Sequence, residues 1–139
     1  MKPTKAFNSI FTNALTQTIN FGYDKNGNTT KIIFPKGDTV SYSYNSLNRM
    51  DGTYYNGIKQ WGLGYDANGN LTSVTDGAGN TTASMSYDTN NRLTQQTEGS
   101  SNSIGYGYDA NSNLTSLTAT AGSTTVSTGY AYNPLNLRF

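Results

Sequence analysis

The sequence predicts an all-β protein, an antiparallel meander of hairpins repeating about every 21 residues, and three observations carry that reading. Tyrosines recur at Tyr23, Tyr44, Tyr65, Tyr87, Tyr108 and Tyr132, with spacings of 21, 21, 22, 21 and 24. Each closes a run in which large and small residues alternate, the period of a strand with one covered face. The composition is that of turns and strands: Thr 21, Asn 18, Gly 15 and Ser 14 make up nearly half of the 139 residues, and helix formers are scarce.

Along the chain, residues 1–14 carry no repeat signal and are expected to be an adaptor or a frayed end, with the repeat array occupying 15–139. The first alternating run places Ile19, Phe21 and Tyr23 on one face. The same phase returns in Val40, Tyr42, Tyr44; Trp61, Leu63, Tyr65; Ala83, Met85, Tyr87; Ile104, Tyr106, Tyr108; and Thr128, Tyr130, Tyr132. The intervening positions are mostly Gly and Ser, which gives a small, polar opposite face that either meets another layer or faces water.

After each tyrosine comes turn chemistry. Asp24, Asp66, Asp88 and Asp109 can accept hydrogen bonds from backbone two residues on. Gly27, Gly69, Asn91 and Asn48 tolerate the positive φ that follows a type I turn in such hairpins. A second short strand follows, marked by Leu71 and Val74, by Leu93, or by Leu114 and Leu117. A second turn then comes at Gly37, Gly57, Gly79, Gly99 and Gly122. The repeats alternate between YDANGNLT-type and YDTNNRLT-type, so the larger unit is about 42 to 43 residues.

These motifs resemble the YD repeats of Rhs proteins, of the B and C shell components of insecticidal toxin complexes, and of teneurins. The run GYDANGNLTSVTDGAGNTTASMSYDTNNRLTQQTEG at 64–99 carries both variants, and the resemblance covers about residues 19–138. It implies a β-sheet that spirals or stacks like a solenoid into a hollow shell, which in the large proteins encloses a toxic C-terminal domain. It also implies an extracellular or exported protein. Full-length members carry many more repeats and a self-cleaving segment with an Asp-Pro-x-Gly type motif, absent here; the last repeat, YNPLNLRF, has Leu137 and Arg138 where Arg-Leu is the pattern. The chain is therefore expected to be a shell segment, an excised fragment or a short relative put to another use.

Composition narrows function independently. With His 0 and Cys 0 there is no Cys or His zinc site, thiolate nucleophile, His-based triad or disulfide. A net charge of +1 without a basic run argues against nucleic acid. No stretch is long and apolar enough for a membrane span, and the start lacks the apolar core of a secretory signal.

Asp24, Asp38, Asp66, Asp88 and Asp109 sit in or beside turns, and the repeat-equivalent ones among them would line one edge of a sheet, whereas glycosidase carboxylates must face each other across a cleft about 5 to 9.5 Å wide. No catalytic, cofactor or metal residues are assigned. DGAGN at 76–80 offers Asp76 and Asn80 to calcium, but calcium takes about six to eight oxygens and the segment reads better as a turn. Asn-x-Thr triplets at Asn28, Asn70, Asn80 and Asn113 match glycosylation acceptors formally, three of them within the repeat's own turn.

The expected role is a non-catalytic wall or self-assembling scaffold, with the six tyrosines as a structural ladder and Asp24, Gly27, Asp66, Gly69, Asp88, Asn91 and Asp109 as turn residues. Its expected partners are the remaining repeats of a larger shell or copies of itself, since a single-layer meander leaves two open edges. The alternative is a surface module that binds glycans or another protein through exposed Tyr, Trp61 and Asn side chains.

Overall fold

The computed structural model describes residues 7–12, 17–133 and 135, with the side chains of 7–9 left aside. Twelve strands follow in chain order: β1 (Phe7–Thr12), β2 (Thr18–Tyr23), β3 (Thr29–Ile33), β4 (Thr39–Tyr44), β5 (Met50–Tyr55) and β6 (Ile58–Tyr65), then β7 (Leu71–Asp76), β8 (Thr81–Tyr87), β9 (Leu93–Glu98), β10 (Asn102–Tyr108), β11 (Leu114–Ala121) and β12 (Thr124–Gly129). Their order in the sheet is their order in the chain, and no helix occurs among the described residues. The all-β antiparallel meander expected from the tyrosine period is what the chain forms.

The chain divides into two compact units, Met1–Leu63 with Thr75–Asn80, and Gly64–Val74 with Thr81–Phe139. In the first, β1 lies ahead of the first repeat, inside the segment expected to be an adaptor or a frayed end. It is a paired strand because Phe7–Thr12 lies antiparallel to β2, Phe7 opposite Tyr23 and Thr12 opposite Thr18. In the second, β12 stops at Gly129, and Tyr132 forms an isolated bridge beyond it instead of closing a full strand.

The tyrosine strands pair with their successors through one recurring irregularity. Tyr23 faces Thr29 while Gly22 faces Lys31, so Thr30 is an extra residue. The same slip adds Asp51 opposite Ser43 and Tyr44, Thr94 opposite Ser86 and Tyr87, and Thr115 opposite Gly107 and Tyr108. Such a bulge re-aims side chains by one position. It puts Leu114 beside Tyr108 and Leu117 beside Tyr106 on one face, although 114 and 117 differ in parity. The three-residue spacing of Leu71 to Val74 and of Leu114 to Leu117 is the sequence trace of that extra residue.

A single-layer sheet has no interior, and no hydrophobic side chain is fully buried among the described residues. The covered face read from the alternation is half-covered: all six ladder tyrosines are intermediate in exposure. Gly52 and Gly62 are the buried positions among the described residues. On the small-residue face a neighbouring hydroxyl fills the space a side chain would take. A Cβ on Gly52 would lie 2.6 Å from Ser43 Oγ, and one on Gly62 would lie 2.5 Å from Thr75 Oγ1. Gly64 meets Ser73 Oγ and Gly107 meets Ser116 Oγ in the same way. Hydroxyl pairs continue this face at Ser84 with Thr97, Thr118 with Ser127, and Thr120 with Thr125.

Candidate functional site

The recurrent feature of the molecule is a set of bonds between successive repeats, built from the tyrosines and from the turns that follow them. The tyrosine hydroxyls reach back one repeat to the carbonyl that opens the preceding second strand. Tyr44 donates to Thr29 O at 2.8 Å, Tyr87 to Leu71 O at 2.9 Å, Tyr108 to Leu93 O at 2.9 Å and Tyr132 to Leu114 O at 2.9 Å. Each accepting residue stands six positions after the previous repeat's tyrosine, next to the bulge. The ring thus covers sheet surface while its hydroxyl satisfies main chain, the use to which a half-wet phenol is suited. Tyr23 and Tyr65 end β2 and β6 in equivalent positions.

The turns repeat with equal regularity. At Asp24 the backbone N–H donates to Asn28 O at 3.0 Å and Gly27 N–H to Asp24 O at 3.2 Å, with Gly27 at φ 88°. Positive φ recurs at Asn48 (65°), Gly69 (97°), Asn91 (59°) and Ser112 (68°), the same place in each turn. The carboxylate locks the loop: Asp24 Oδ1 accepts from the N–H groups of Asn26 and Asn28 at 2.9 Å, and Oδ2 accepts from Asn28 Nδ2 at 2.8 Å. Asp66 and Asp109 hold Asn70 and Asn113 likewise, through both the backbone N–H and the side-chain amide.

Asp88 takes the backbone N–H of Arg92 at 3.0 Å and its Nε at 2.7 Å. These donors hold all four carboxyls below the usual carboxylate range. The side-chain amides of Asn28, Asn70 and Asn113 contribute most at Asp24, Asp66 and Asp109, and the Arg92 backbone N–H contributes most at Asp88.

The turns are also bonded to one another, which sequence reading did not foresee. In the first unit Asn26 Nδ2 donates to Asn48 Oδ1 at 3.0 Å, and Asn28 Nδ2 reaches the same oxygen. In the second, Asn68 and Asn70 donate to Asn91 Oδ1 at 2.9 and 2.8 Å. Asn48 and Asn91 therefore combine a positive φ with an acceptor that Gly27 and Gly69 lack, which accounts for the Gly–Asn alternation over these four turns; Ser112 holds the place in the next.

Arg92 continues the chain of contacts. Its Nη1 donates to Asp109 O at 3.0 Å and Ser112 Oγ at 3.2 Å, and the guanidinium lies 4.7 Å from the Tyr108 ring centroid. The available signal was the alternation of Gly-Asn with Asn-Arg in successive repeats.

Asp76 and Asn80, weighed as calcium ligands, form another such turn. Asp76 accepts from the N–H groups of Ala78 and Asn80 and from Asn80 Nδ2, at 2.9, 2.9 and 3.0 Å. Both carboxylate oxygens thus face amide donors, and Asp76 too is held below the ordinary range, chiefly by the Asn80 amide. The Asn28, Asn70, Asn80 and Asn113 amides of the Asn-x-Thr triplets are all engaged with turn aspartates. Trp61, named for a glycan-binding reading, is 49% exposed and pairs with Thr53; Ile58, earlier on the same strand, and its partner Tyr55 are 69% and 46% exposed.

The sequence matches the RHS Repeat family in four overlapping segments, residues 23–57, 53–81, 65–100 and 87–124. No curated protein matches the chain. Among solved structures, a Photorhabdus luminescens Tc holotoxin pore carrying a TccC3 mutation is similar at 19% identity and a TM-score of 0.68, over 88% of this chain and 6% of that one. TcdB2-TccC3 without its hypervariable C-terminal region is similar at 12% identity and a TM-score of 0.71, over 95% and 9%. TcdB2-TccC3-Cdc42 is similar at 13% identity and 0.66, over 91% and 9%. The chain thus spans less than a tenth of these larger proteins, with which it shares the fold.

Proposed function

The chain belongs to the RHS repeat family, and from that membership we propose that it is structural: a stretch of β-sheet wall in a larger exported shell, or a scaffold that assembles with itself, and not a catalyst. The observation that carries this reading is the hydroxyl-to-carbonyl bond at 2.8 to 2.9 Å, made in the same way by Tyr44, Tyr87, Tyr108 and Tyr132. Such a bond serves one purpose, fixing each repeat on its predecessor, and it is replicated where a catalytic centre would be singular. The carboxylates have the same character: their oxygens are committed to turn donors, so they hold loops in shape instead of shuttling protons.

The similarity to TcdB2-TccC3 supports the wall reading, because this chain's repeats take the fold found within those much larger chains. The test is light scattering and negative-stain imaging of the purified 139-residue chain. Multimers or extended sheets are the expected result. A monodisperse monomer that binds a glycan array would overturn the proposal in favour of a binding module.

A further inference from the structure

We propose that Asn26 and Asn68 are sites of spontaneous covalent modification, in which the main-chain nitrogen of Gly27 or Gly69 displaces the side-chain amide, and that Asn56 of the third Asn-Gly dipeptide is spared. Asparagine is chemically labile, and a following glycine, with no Cβ in the way, lets its nitrogen approach the amide carbon. In the first step the Gly69 nitrogen bonds to Asn68 Cγ, and its proton passes through water to the departing Nδ2. The Cγ–Nδ2 bond breaks, ammonia leaves, and a five-membered imide remains. Water then opens the imide at either carbonyl, yielding aspartate or its isomer in which the chain runs through Cβ.

The three sites differ in what holds the amide. At Asn56 both ends are tied: Oδ1 accepts from the Thr39 N–H at 2.7 Å, and Nδ2 donates to Asp38 Oδ1 at 2.9 Å. Turning Cγ towards Gly57 breaks both bonds. At Asn68, Nδ2 donates to Asn91 Oδ1 at 2.9 Å, and Asn70 Nδ2 donates to the same oxygen at 2.8 Å. Release of Asn68 therefore leaves Asn91 Oδ1 with a donor. Asn26 stands in the same relation to Asn48, whose Oδ1 keeps the Asn28 amide.

The attacking nitrogen is loosely held at these two sites. The Gly27 and Gly69 N–H groups reach the carbonyls of Asp24 and Asp66 at 3.2 Å, against 2.9 to 3.1 Å for the corresponding bonds of Asn48, Asn91 and Ser112. Asn26, Asn56 and Asn68 are all exposed, so access of water does not set the order. The Gly57 N–H is in no such turn bond, so a reaction limited by the nucleophile instead of the amide would take Asn56 first.

Conversion undoes the link that the amide makes. A carboxylate at position 68 has no N–H to give to Asn91 Oδ1 and sets its charge against that oxygen. The isomer also adds a main-chain atom to a turn that holds Gly69 at φ 97°. The join between these turns is left with the Asn70 bond, so the modification acts as a clock on how long successive turns stay linked.

The three dipeptides fall in separate tryptic peptides, 26–31, 50–59 and 60–92, and one digest reads them all. The purified chain is held in warm, mildly alkaline buffer and mapped over time by mass spectrometry, with fragment ions placing each change of amide to acid. Asn26 and Asn68 are expected to convert about fivefold faster than Asn56, the factor for one additional hydrogen bond. Asp38→Ala unties Asn56 Nδ2 and should raise the Asn56 rate by about the same factor, leaving Asn26 and Asn68 unchanged. In denaturant the three rates should converge. Asn56 converting first, equal rates in the folded chain, or no conversion at Asn26 and Asn68 while the denatured chain converts, would overturn the proposal. Hydrogen exchange on Asn68→Asp reads the link: faster exchange in the turn at 88–92 is expected, and exchange equal to the parent would overturn the clock.

Discussion

Replacing Tyr87 by Phe removes one oxygen, the donor to Leu71 O at 2.9 Å, and leaves the ring in place. A neutral hydrogen bond of this kind is worth about 0.5 to 1.5 kcal/mol net, so the variant is expected to lose about 1 kcal/mol. Replacing Tyr87 by Ala also removes the ring. A fully covered aromatic would cost about 3 to 5 kcal/mol, but Tyr87 is only half-covered. About 100 Å² of ring at ~25 cal/mol per Å² gives about 2.5 kcal/mol. The Ala variant is therefore expected in the lower part of the range, about 3.5 kcal/mol with the lost bond included.

Urea titration followed by circular dichroism reads both variants. At an m-value of about 2 kcal/mol per M the Phe variant shifts the midpoint by about 0.5 M and the Ala variant by about 1.7 M. Because the chain comprises two compact units, hydrogen exchange on the strands around Leu71 should locate the loss in the second. A Phe variant indistinguishable from the parent would refute the claim that the hydroxyl fixes one repeat on the next. A Phe variant as weak as the Ala variant would show that the ring contributes nothing.

Acid is expected to loosen the turns. Asp24, Asp66, Asp76, Asp88 and Asp109 all have carboxyls held low in the folded chain. Their contribution is therefore complete above about pH 4 and lost as pH falls through the folded values. Thermal melts between pH 7 and 2 should show the decline, and Asp66→Asn with Asp109→Asn should flatten it; a flat parent profile counts against these bonds. Base acts in the opposite sense on Tyr44, whose hydroxyl is pushed up by burial first and then by the Asp24 charge. Its stabilisation holds below about pH 10 and is lost as pH rises through the higher folded value, so Tyr44→Phe should lack that part of the alkaline transition. Gly77→Ala would drive a methyl into the Lys59 carbonyl oxygen, a main-chain atom that cannot swing away. A loss of about 1 to 3 kcal/mol is expected in denaturant, and an unchanged midpoint would refute the close approach.

The meander was legible because two local codes agree. The period-two runs ending in Tyr set the strands, and Asp followed three residues later by Gly or Asn set the turns; both depend on near neighbours in sequence. The bulge was visible only indirectly, in Leu71 to Val74 and Leu114 to Leu117. The bonds from Asn68 and Asn70 to Asn91 join residues 23 and 21 positions apart, a pairing that appears once the strands are in register. The depth of burial was overestimated for a physical reason. Alternation reports which residues share a face, and Tyr42, Tyr44 and Trp61 do share one, but it does not report whether a second layer lies upon it. β1 escaped detection because it carries no ladder tyrosine, and it shows as a strand only through its pairing with β2.

The alternation of Gly69 with Asn91 has a consequence for how such a protein can change length. Inserting one 21-residue module would set two like turns side by side and leave an amide without its acceptor, or an acceptor without its amides. Inserting two together would reproduce every existing join. Tandem duplication is therefore expected to be tolerated in doubled modules, and a gene of this kind would grow or shrink in steps of about 42 to 43 codons.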